Sequence, residues 1–409
     1  MYDLITIGGG AAGFFGSITA AENSASKVLI LEKSPNVLGK VKISGGGRCN
    51  VTHHCFDPKE LSKFYPRGEK SLIGPLHRWS AKDTVDWFQS KGVELKTEAD
   101  GRMFPITDNS QTIIDCLIKA AHDAGVEIET ACGVQSVEAI ENPDDTYFIV
   151  TTDNGDELQA RCVLLATGGT RLTAGAKLAE QLGHNLEPAV PSLFTFKIDH
   201  PLLTELPGLS VADTEVAVEQ TKLKSSGPLL ITHWGVSGPG ILRLSAWGAR
   251  ILADLDYQFT LSINWLPQTN VSERIAQLRS DWGKRQLSTR CPFEEIPKRL
   301  WARMLELAEV PSTQTWAQLS KAHAQTLSNL LNNCQLPVLG KSLNKDEFVT
   351  AGGVNLKEIN LKTMESKRTP NLFFAGEVMN IDGITGGFNF QNAWMSGHHA
   401  GTTIAERSW

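Results

Sequence analysis

Short apolar runs alternate with helix-like stretches at the N-terminus, a pattern typical of a β-α-β unit. An apolar run at residues 4–7 comes first, small and apolar residues through Phe15 and Ala21 follow, and a second apolar run at 28–31 ends at Glu32. The segment Gly-Gly-Gly-Ala-Ala-Gly at 8–13 joins the first run to the helix-like stretch. The pattern predicts a strand, a glycine-rich turn, a helix and a second strand, in that order.

The residues after Glu32 continue this alternation. They predict an ordered glycine-rich loop at 39–50, a helix followed by a short strand at 82–98, and a second helix at 110–125. Three strands follow, at 126–140, 146–152 and 157–166. Turn-forming residues separate the three strands. The last strand leads into Ala166, Thr167 and Gly168. These elements predict an α/β domain.

The residue pattern changes near Pro188 and changes back near residue 344. Between these points lie prolines, short strand patterns, helical patterns around 271–333, and six of the ten tryptophans. We therefore predict a discontinuous first domain, 1–187 with 344–409, and an inserted second domain, 188–343, that sets the substrate.

The turn at residues 8–13 has the Gly-x-Gly-x-x-Gly spacing of a dinucleotide site, between a strand and a helix. Gly8 permits the tight turn, Gly10 lets the backbone approach a pyrophosphate, and Gly13 lets helix and strand pack closely. The free N–H groups and positive dipole end of the following helix attract phosphates. Glu32, at the end of the second strand, suits the hydroxyls of an adenosine ribose.

The C-terminal region predicts the flavin half of such a site. A buried-type strand at 372–375 leads into Gly376 and Glu377, Asp382 follows, and a glycine turn opens a helix near Asn389. Asp382 suits ribityl hydroxyls or phosphates. The helix would aim its N–H groups at the flavin pyrimidine edge and stabilise negative charge on the reduced ring. A capped turn after a buried strand is the alternative, and the N-terminal motif favours FAD over it.

The overall composition limits the function classes. The chain has 409 residues, 41% of them hydrophobic, and a net charge of -6, which predicts a globular protein without a general nucleic-acid surface. Its seven cysteines include no Cys-x-x-Cys pair, which excludes a dithiol flavoprotein of the usual motif and argues against a zinc ribbon. The first strand pattern starts at Tyr2 and no apolar run is long enough for a bilayer, so we expect a cytoplasmic protein without a membrane partner.

Weaker signals leave alternatives open. Residues 274–303 hold eight Lys or Arg against three acids, with Trp282 and Trp301 among them. Such a run is usually a solvated helical face, and an RNA-facing patch is the alternative. The histidine pairs at 53–54 and 398–399 lack the partner spacing of a metal site, so we expect no metal. No second Gly-x-Gly-x-x-Gly indicates a separate NAD(P)H domain, and the electron donor stays open.

Residues 45–50, Gly-Gly-Gly-Arg-Cys-Asn, with Thr52, resemble the hallmark of the BaiN/RdsA-type (YhiN-like) family of NAD(P)/FAD-dependent oxidoreductases. Segments 104–105, 351–354 and 376–397 are similar to the same family, so the resemblance covers essentially the whole chain. It implies an α/β fold: a Rossmann-like FAD-binding domain of the glutathione-reductase type, in three layers with a parallel sheet plus β-meander. It also implies an inserted domain of β-barrel and helical parts. Reduction of bile-acid enones and formation of dihydrouridine in ribosomal RNA are associated with the family.

The resemblance also implies a set of non-covalent FAD contacts. Val134, which follows Gly133 in the strand after the helix, would pair its backbone with adenine. Arg48 would bind the pyrophosphate or anchor its own loop, and Cys49 would lie near the flavin as a packing thiol or with a catalytic role. The expected cofactor-binding residues are Gly8, Gly10, Ala11, Ala12, Gly13, Glu32, Lys33, Lys40, Arg48, Cys49, Asn50, Thr52, Val134, Ala166, Thr167, Gly168, Gly376, Glu377, Asp382, Gly387, Asn389, Gln391 and Ala393. The catalytic residues are not assigned.

Three functions follow from this pattern. The first is an FAD reductase that passes hydride from NAD(P)H, through flavin N5, to a conjugated double bond of a small molecule. The second is a flavin-dependent reductase that acts on uracil in ribosomal RNA, for which the basic stretch is the distinguishing feature. The third is a non-catalytic FAD-binding or sensor protein. The sequence favours the first.

Overall fold

The computed structural model describes residues 1–24, 27–142, 145–169, 174–342 and 349–407. The chain divides into two compact units, Met1–Val190 with Val349–Trp409, and Pro191–Phe348. The sequence-based boundary at 187/188 falls near the first division, whereas the boundary at 343/344 lies outside the described residues.

Strands and helices alternate up to Ser192. The strands are β1 (Tyr2–Ile7), β2 (Val28–Leu31), β3 (Thr52–His53), β4 (Leu95–Thr97), β5 (Arg102–Pro105), β6 (Glu127–Glu129), β7 (Val134–Asn142), β8 (Asp145–Thr152), β9 (Glu157–Leu165) and β10 (Leu186–Ser192). The helices are α1 (Ala11–Asn23), α2 (Gly39–Gly47), α3 (Pro58–Ser62), α4 (Glu69–Arg78), α5 (Ala81–Ser90), α6 (Ser110–Asp123) and α7 (Ala174–Gln181).

The second unit combines short strands with helices, and the first unit then resumes. The second unit contains β11 (Phe196–Lys197), β12 (Ser210–Val218), β13 (Lys224–Thr232), β14 (Gly235–Ser237), α8 (Pro239–Trp247), α9 (Ala249–Asp254), β15 (Phe259–Asn264), α10 (Val271–Asp281), α11 (Lys298–Leu307), α12 (Lys321–Asn332), β16 (Cys334–Val338) and β17 (Gly340–Lys341). The returning chain contains β18 (Val349–Val354), β19 (Ile359–Asn360), β20 (Glu365–Ser366), β21 (Leu372–Phe374) and α13 (Phe388–Ala405).

The main sheet of the first unit has a parallel centre. Its order is β19-β20-β21-β9-β1-β2-β6, and β7 and β8 continue antiparallel from β9. The register pairs Ile7 with both Leu31 and Leu165, and Phe374 with Leu165, so four strands end at one level. The predicted α/β class, with a parallel sheet plus β-meander, is confirmed. The predicted strand at 126–140 is two strands, β6 and β7.

Small residues let α1 and α13 pack unusually closely. A Cβ on Gly397 would lie 2.7 Å from Ala12 O, and one on Gly401 would lie 2.4 Å from Gly16 O. Larger side chains at these positions would push the helices apart. The small residues of the helix predicted to open near Asn389 therefore have a packing reason, and the helix begins one residue earlier, at Phe388.

Residues 39–50 are not entirely the loop that their glycine content predicts. The chain enters α2 through Leu38 in the left-handed region, and Lys42 N donates to Leu38 O at 3.1 Å. Ser44 and Gly45 then leave helical geometry. The loop prediction is wrong for the first turn, because Val41 is buried and Ser110 Oγ bonds to Lys42 O at 2.8 Å, which fixes that turn by tertiary contact.

The second unit is built on a curled antiparallel sheet. Its order is β16-β15-β12-β13-β14-β11-β17, and only Leu339 separates the two edge strands β16 and β17 along the chain. The sheet must therefore curl until its edges approach each other, which gives the barrel-like part. Trp265, Trp301 and Trp316 are buried in the core of this unit. Within the described residues, no helix has the length and apolar character needed to cross a membrane.

Candidate dinucleotide site

The glycines of the first turn differ in what surrounds them. A Cβ on Gly8 would lie 2.4 Å from Ala166 O, and one on Gly13 would lie 2.0 Å from Gly8 O. Gly10 has φ -92° and ψ -173°, which any residue adopts, and a Cβ there would meet no protein atom within 4 Å. Gly8 and Gly13 are therefore required by the fold, whereas Gly10 borders open space.

The N-terminus of α1 adjoins this open space. Gly10 is its N-cap residue and supplies no side-chain cap, and the first intrahelical bond runs from Phe14 N to Gly10 O at 3.0 Å. The N–H groups of Ala11 and Ala12 precede that bond and have no partner within the helix. These donors, with the positive end of the helix dipole, form a site for an anion.

Glu32 binds to the glycine turn from the end of β2. One carboxylate oxygen accepts from Gly9 N at 2.8 Å, and the other accepts from Ser34 N at 2.8 Å. Cys132 N donates to Glu32 O at 2.9 Å, which places the start of β7 at Val134 near the same strand end. Lys33 is exposed beside them.

The end of β9 lies beside the glycine turn. Ala166 N donates to Ile7 O at 2.9 Å, which continues the parallel register past β1. Thr167 Oγ1 is buried without a hydrogen-bond partner in the structure. Gly168 has φ +78°, and a Cβ there would meet no atom within 4 Å. This segment therefore offers an unpaired hydroxyl and a second piece of open backbone.

Asn50 and Thr52 join the glycine-rich loop to the start of α13. In the amide orientation that satisfies both ends, Asn50 Oδ1 accepts from Gly387 N at 2.9 Å and Asn50 Nδ2 donates to Thr52 O at 3.0 Å. Thr52 Oγ1 donates to Gln391 Oε1 at 2.7 Å, and Gln391 Nε2 is buried without a partner in the structure. Residues more than 300 positions apart thus share one wall.

Arg48 and Cys49 are both held by contacts with neighbouring protein groups. The Arg48 guanidinium donates to Glu98 at 2.6 Å and lies 4.0 Å from the centre of the Phe104 ring, so it anchors the loop. The hydrogen bond to Glu98 raises the pKa of Arg48. Cys49 has no exposed surface, and burial raises the pKa of its thiol to about 12, so it stays protonated. In this structure Arg48 is bound to residues around its own loop, and Cys49 is a packed thiol.

The segment after β21 contacts α13, β18 and α2. Gly376 has φ +77° and its N–H donates to Ser396 Oγ at 2.9 Å. Glu377 accepts from Thr350 N at 2.7 Å and forms an ion pair with Lys40. The Lys40–Glu377 pair therefore links α2 to the C-terminal part of the site.

Asp382 is fully buried, and its carboxylate forms a two-pronged ion pair with Arg67. We expected Asp382 to contact the ribityl hydroxyls or the phosphates directly. In this structure its carboxylate is not exposed and so is not available for that contact. Asn389 and Gly383 exchange two hydrogen bonds of 2.8 Å, which fix the turn before α13. Ala393 is buried one turn into α13.

Sequence reasoning missed Arg67 and Tyr65. Tyr65 is fully buried and its hydroxyl donates to Phe388 O at 2.6 Å, at the first residue of α13. Burial raises the pKa of Tyr65, so the phenol stays protonated. Neither residue belongs to a short motif, and their partners lie more than 300 positions away, so no local signal marked them.

These segments fit FAD. The four parallel strands end at one level, so Gly8, Glu32, Ala166 and Ala375 begin loops at a single edge of the sheet, where α/β folds bind dinucleotides. Open space at Gly10 and Gly168 and the unpaired atoms of Thr167 and Gln391 indicate that a ligand completes the site. Within the described ranges, no group of three or more His, Cys, Asp or Glu side chains could hold a metal ion.

Comparisons with known proteins agree with this geometry. A family model described as "HI0933-like protein Rossmann domain" matches residues 2–403. The chain is 31% identical over 404 residues to a ribosomal RNA dihydrouridine synthase of Escherichia coli, covering 97% of this chain and 96% of that protein. It is 28% identical over 413 residues to a 3-dehydro-bile acid delta(4,6)-reductase of Clostridium scindens, covering 98% of each.

A similarity to a solved structure concerns the fold alone. The chain superposes on a 3-ketosteroid-delta4-(5alpha)-dehydrogenase of Rhodococcus jostii with a TM-score of 0.51 and 16% identity, covering 99% of this chain and 97% of that one.

Proposed function

Because the chain belongs to the HI0933-like protein Rossmann domain family, we propose that it reduces a carbon–carbon double bond conjugated to a carbonyl group. The chain is an FAD-dependent oxidoreductase. The observation that carries the cofactor part of the proposal is the open backbone at Gly10, at the uncapped N-terminus of α1 and the carboxyl edge of the sheet. The names of the two relatives describe reduction of a double bond of this kind, in uridine and in an enone.

The residues of the first unit divide between the two halves of FAD in this proposal. Gly10, with the first turn of α1, binds the pyrophosphate. Glu32, Lys33 and Val134 flank the adenosine. The remaining expected contacts line the flavin half, namely Lys40, Asn50, Thr52, Ala166, Thr167, Gly168, Gly376, Glu377, Gly387, Asn389, Gln391 and Ala393.

When bound, FAD supplies hydride transfer at flavin N5. Asn50 and Tyr65 hold the N-terminus of α13, and its positive dipole end would stabilise negative charge on the pyrimidine edge of a bound flavin. Asp382 acts through Arg67 as a positioning residue, since its carboxylate is fully buried. Arg48 and Cys49 support the loop. NAD(P)H is the proposed electron donor.

The substrate proposed first is a small unsaturated molecule, because the net charge of the chain is -6. A uracil base in RNA is the second candidate. It is favoured by a group of cations in the second unit that form no ion pair with any described residue. In both cases the second unit is proposed to set the substrate.

An anaerobic titration of the purified holoprotein tests the proposal. NADH or NADPH should bleach the flavin, and a 3-oxo-4-ene steroid or a uridine-containing RNA should restore its absorbance. Product analysis should show a saturated carbon–carbon bond in the acceptor. Reduced flavin that neither acceptor reoxidises, in a protein that still reacts with oxygen, would contradict the assignment.

A further inference from the structure

Four cations of the second unit form what we call the basic cluster: Lys284, Arg285, Arg290 and Lys298. All four side chains are exposed. None of them forms an ion pair with a carboxylate of the described residues, although the chain as a whole carries more acidic than basic groups. Since these side chains form no ion pair with a described residue, they are available to an external anion.

Trp282 forms cation–π contacts with two of these cations. The guanidinium carbons of Arg285 and Arg290 lie 4.9 and 5.7 Å from the centre of the Trp282 ring. The two charges therefore lie within about one Debye length of each other, which is roughly 10 Å at 0.1 M salt. The ring restrains both side chains by cation–π attraction, and an anion bound between them would relieve their repulsion.

A cavity of about 340 Å³ opens beside Arg290 and Lys298. Thr289 contributes a hydroxyl to its lining, and Trp301 and Leu305 form an apolar part. Glu306 also lines the cavity, and its carboxylate is paired with Arg303. The volume lies at the lower end of the range of small-molecule sites, about 300–1,000 Å³. A phosphate bound by Arg290 and Lys298 would leave room in the cavity for the attached sugar or base.

Two other basic residues of the stretch, Arg299 and Arg303, have structural roles. Arg299 donates to Glu205 O, and Arg303 pairs with Glu306 at 2.8 Å. Trp301 is buried, and its Nε1 donates to Leu287 O at 2.9 Å. Trp301 therefore contributes no exposed ring to an RNA-facing patch, whereas Trp282 lies beside the exposed cations of the basic cluster.

We infer that the basic cluster binds the phosphates of an RNA strand. The inference rests on the second candidate substrate proposed above, and it names the residues by which the second unit would recognise RNA. Guanidinium groups bind phosphate in two-pronged geometry. Lys284 and Lys298, which flank the two arginines in the sequence, add further positive charge. The cavity beside Arg290 would accommodate a nucleotide next to the bound phosphate.

Salt-dependent binding of the holoprotein to oligouridylate tests the inference. The variant R285A/R290A should bind the probe at least tenfold more weakly. Its plot of log K against log salt should be shallower by roughly 1.4, since each phosphate that a cation neutralises on a single strand contributes about 0.7 to the slope. K222A/K224A, which removes two exposed lysines from the β12–β13 hairpin, is the matched control and should keep the wild-type slope. W282F should retain binding, and W282A should bind more weakly than W282F.

Flavin content and NAD(P)H-dependent bleaching of R285A/R290A should match those of the wild type, which separates this test from that of the proposed function. An unchanged salt slope in R285A/R290A would overturn the inference. An equally weakened K222A/K224A control would overturn it too, because the effect would then be one of net charge. Arginine-dependent binding to anionic phosphatidylglycerol vesicles with no binding to RNA would assign the cluster to a membrane instead.

Discussion

Replacing Gly10 by a larger residue separates ligand binding from folding. The backbone there is extended, and a Cβ would meet no protein atom within 4 Å, so the apoprotein tolerates the change. Since Gly10 is an N-cap without a side-chain bond, Gly10→Ala and Gly10→Val should cost the folded state about 1 kcal/mol or less. The added methyl groups would occupy the space in which the N–H groups of α1 meet a pyrophosphate.

The expected loss of affinity is much larger than the loss of stability. A hydrogen bond to a charged group contributes about 1.5–3 kcal/mol. Disrupting two of them weakens FAD binding by roughly 3 kcal/mol or more, which is at least about a hundredfold in Kd. Gly10→Val should therefore purify folded but largely colourless, and Gly10→Ala should be intermediate.

The assay is FAD titration of apoprotein by flavin fluorescence, with urea unfolding of the same apoprotein. Gly74→Ala is the control, because Gly74 is exposed on α4 and a Cβ there also meets no atom within 4 Å. Gly8→Ala is the opposite case: its Cβ would lie 2.4 Å from Ala166 O, so it should destabilise the apoprotein itself. Wild-type FAD affinity in Gly10→Val would refute the assignment of the pyrophosphate to this turn.

Three further predictions follow from the same structure. Acid precipitation should release the flavin as free FAD into the supernatant, and flavin that stays in the pellet would contradict non-covalent binding. Asp382→Ala should lower the free energy of unfolding by about 3–5 kcal/mol, because it leaves Arg67 largely buried without its carboxylate; an unchanged urea midpoint would argue against this ion pair. Burial lowers the pKa of His399 to about 4, so the unfolded chain binds a proton between pH 6.5 and 4 that the folded chain does not. Stability should fall as pH falls through that window, by on the order of 3 kcal/mol from this residue, and His399→Gln should make the urea-unfolding profile less steep. Burial also lowers the pKa of His398 to about 4, so that histidine keeps its own contribution in the variant.

Local sequence determined much of the first unit. The β1-α1-β2 order follows from residue periodicity, and so does the place of the dinucleotide turn, because strand and helix periods and glycine spacing are local properties. The beginning of α13 could be predicted in the same way, to within one residue, because a glycine turn precedes it. The contacts that hold this beginning could not be predicted, since Phe388 is fixed by Tyr65 and by the turn at Gly383 rather than by a capping side chain.

The helical first turn of α2 could not be predicted either. Its composition disfavours a helix, and Val41 and Lys42 are held there by contacts with other elements. Propensity is a weak signal that tertiary packing overrides at such positions.

The sequence by itself therefore determined the fold class, the order of elements in the first unit and the residue types available at the strand ends. Only the tertiary structure decided which contacts each of these residues makes. It separated Gly10, which borders open space, from Gly8 and Gly13, which are needed for packing. It also showed that Asp382 forms an ion pair with Arg67, which lies 315 positions away in the sequence. The physical reason is that parallel register brings distant strand ends to one edge, so the partner of a buried polar group depends on long-range geometry that no local pattern contains.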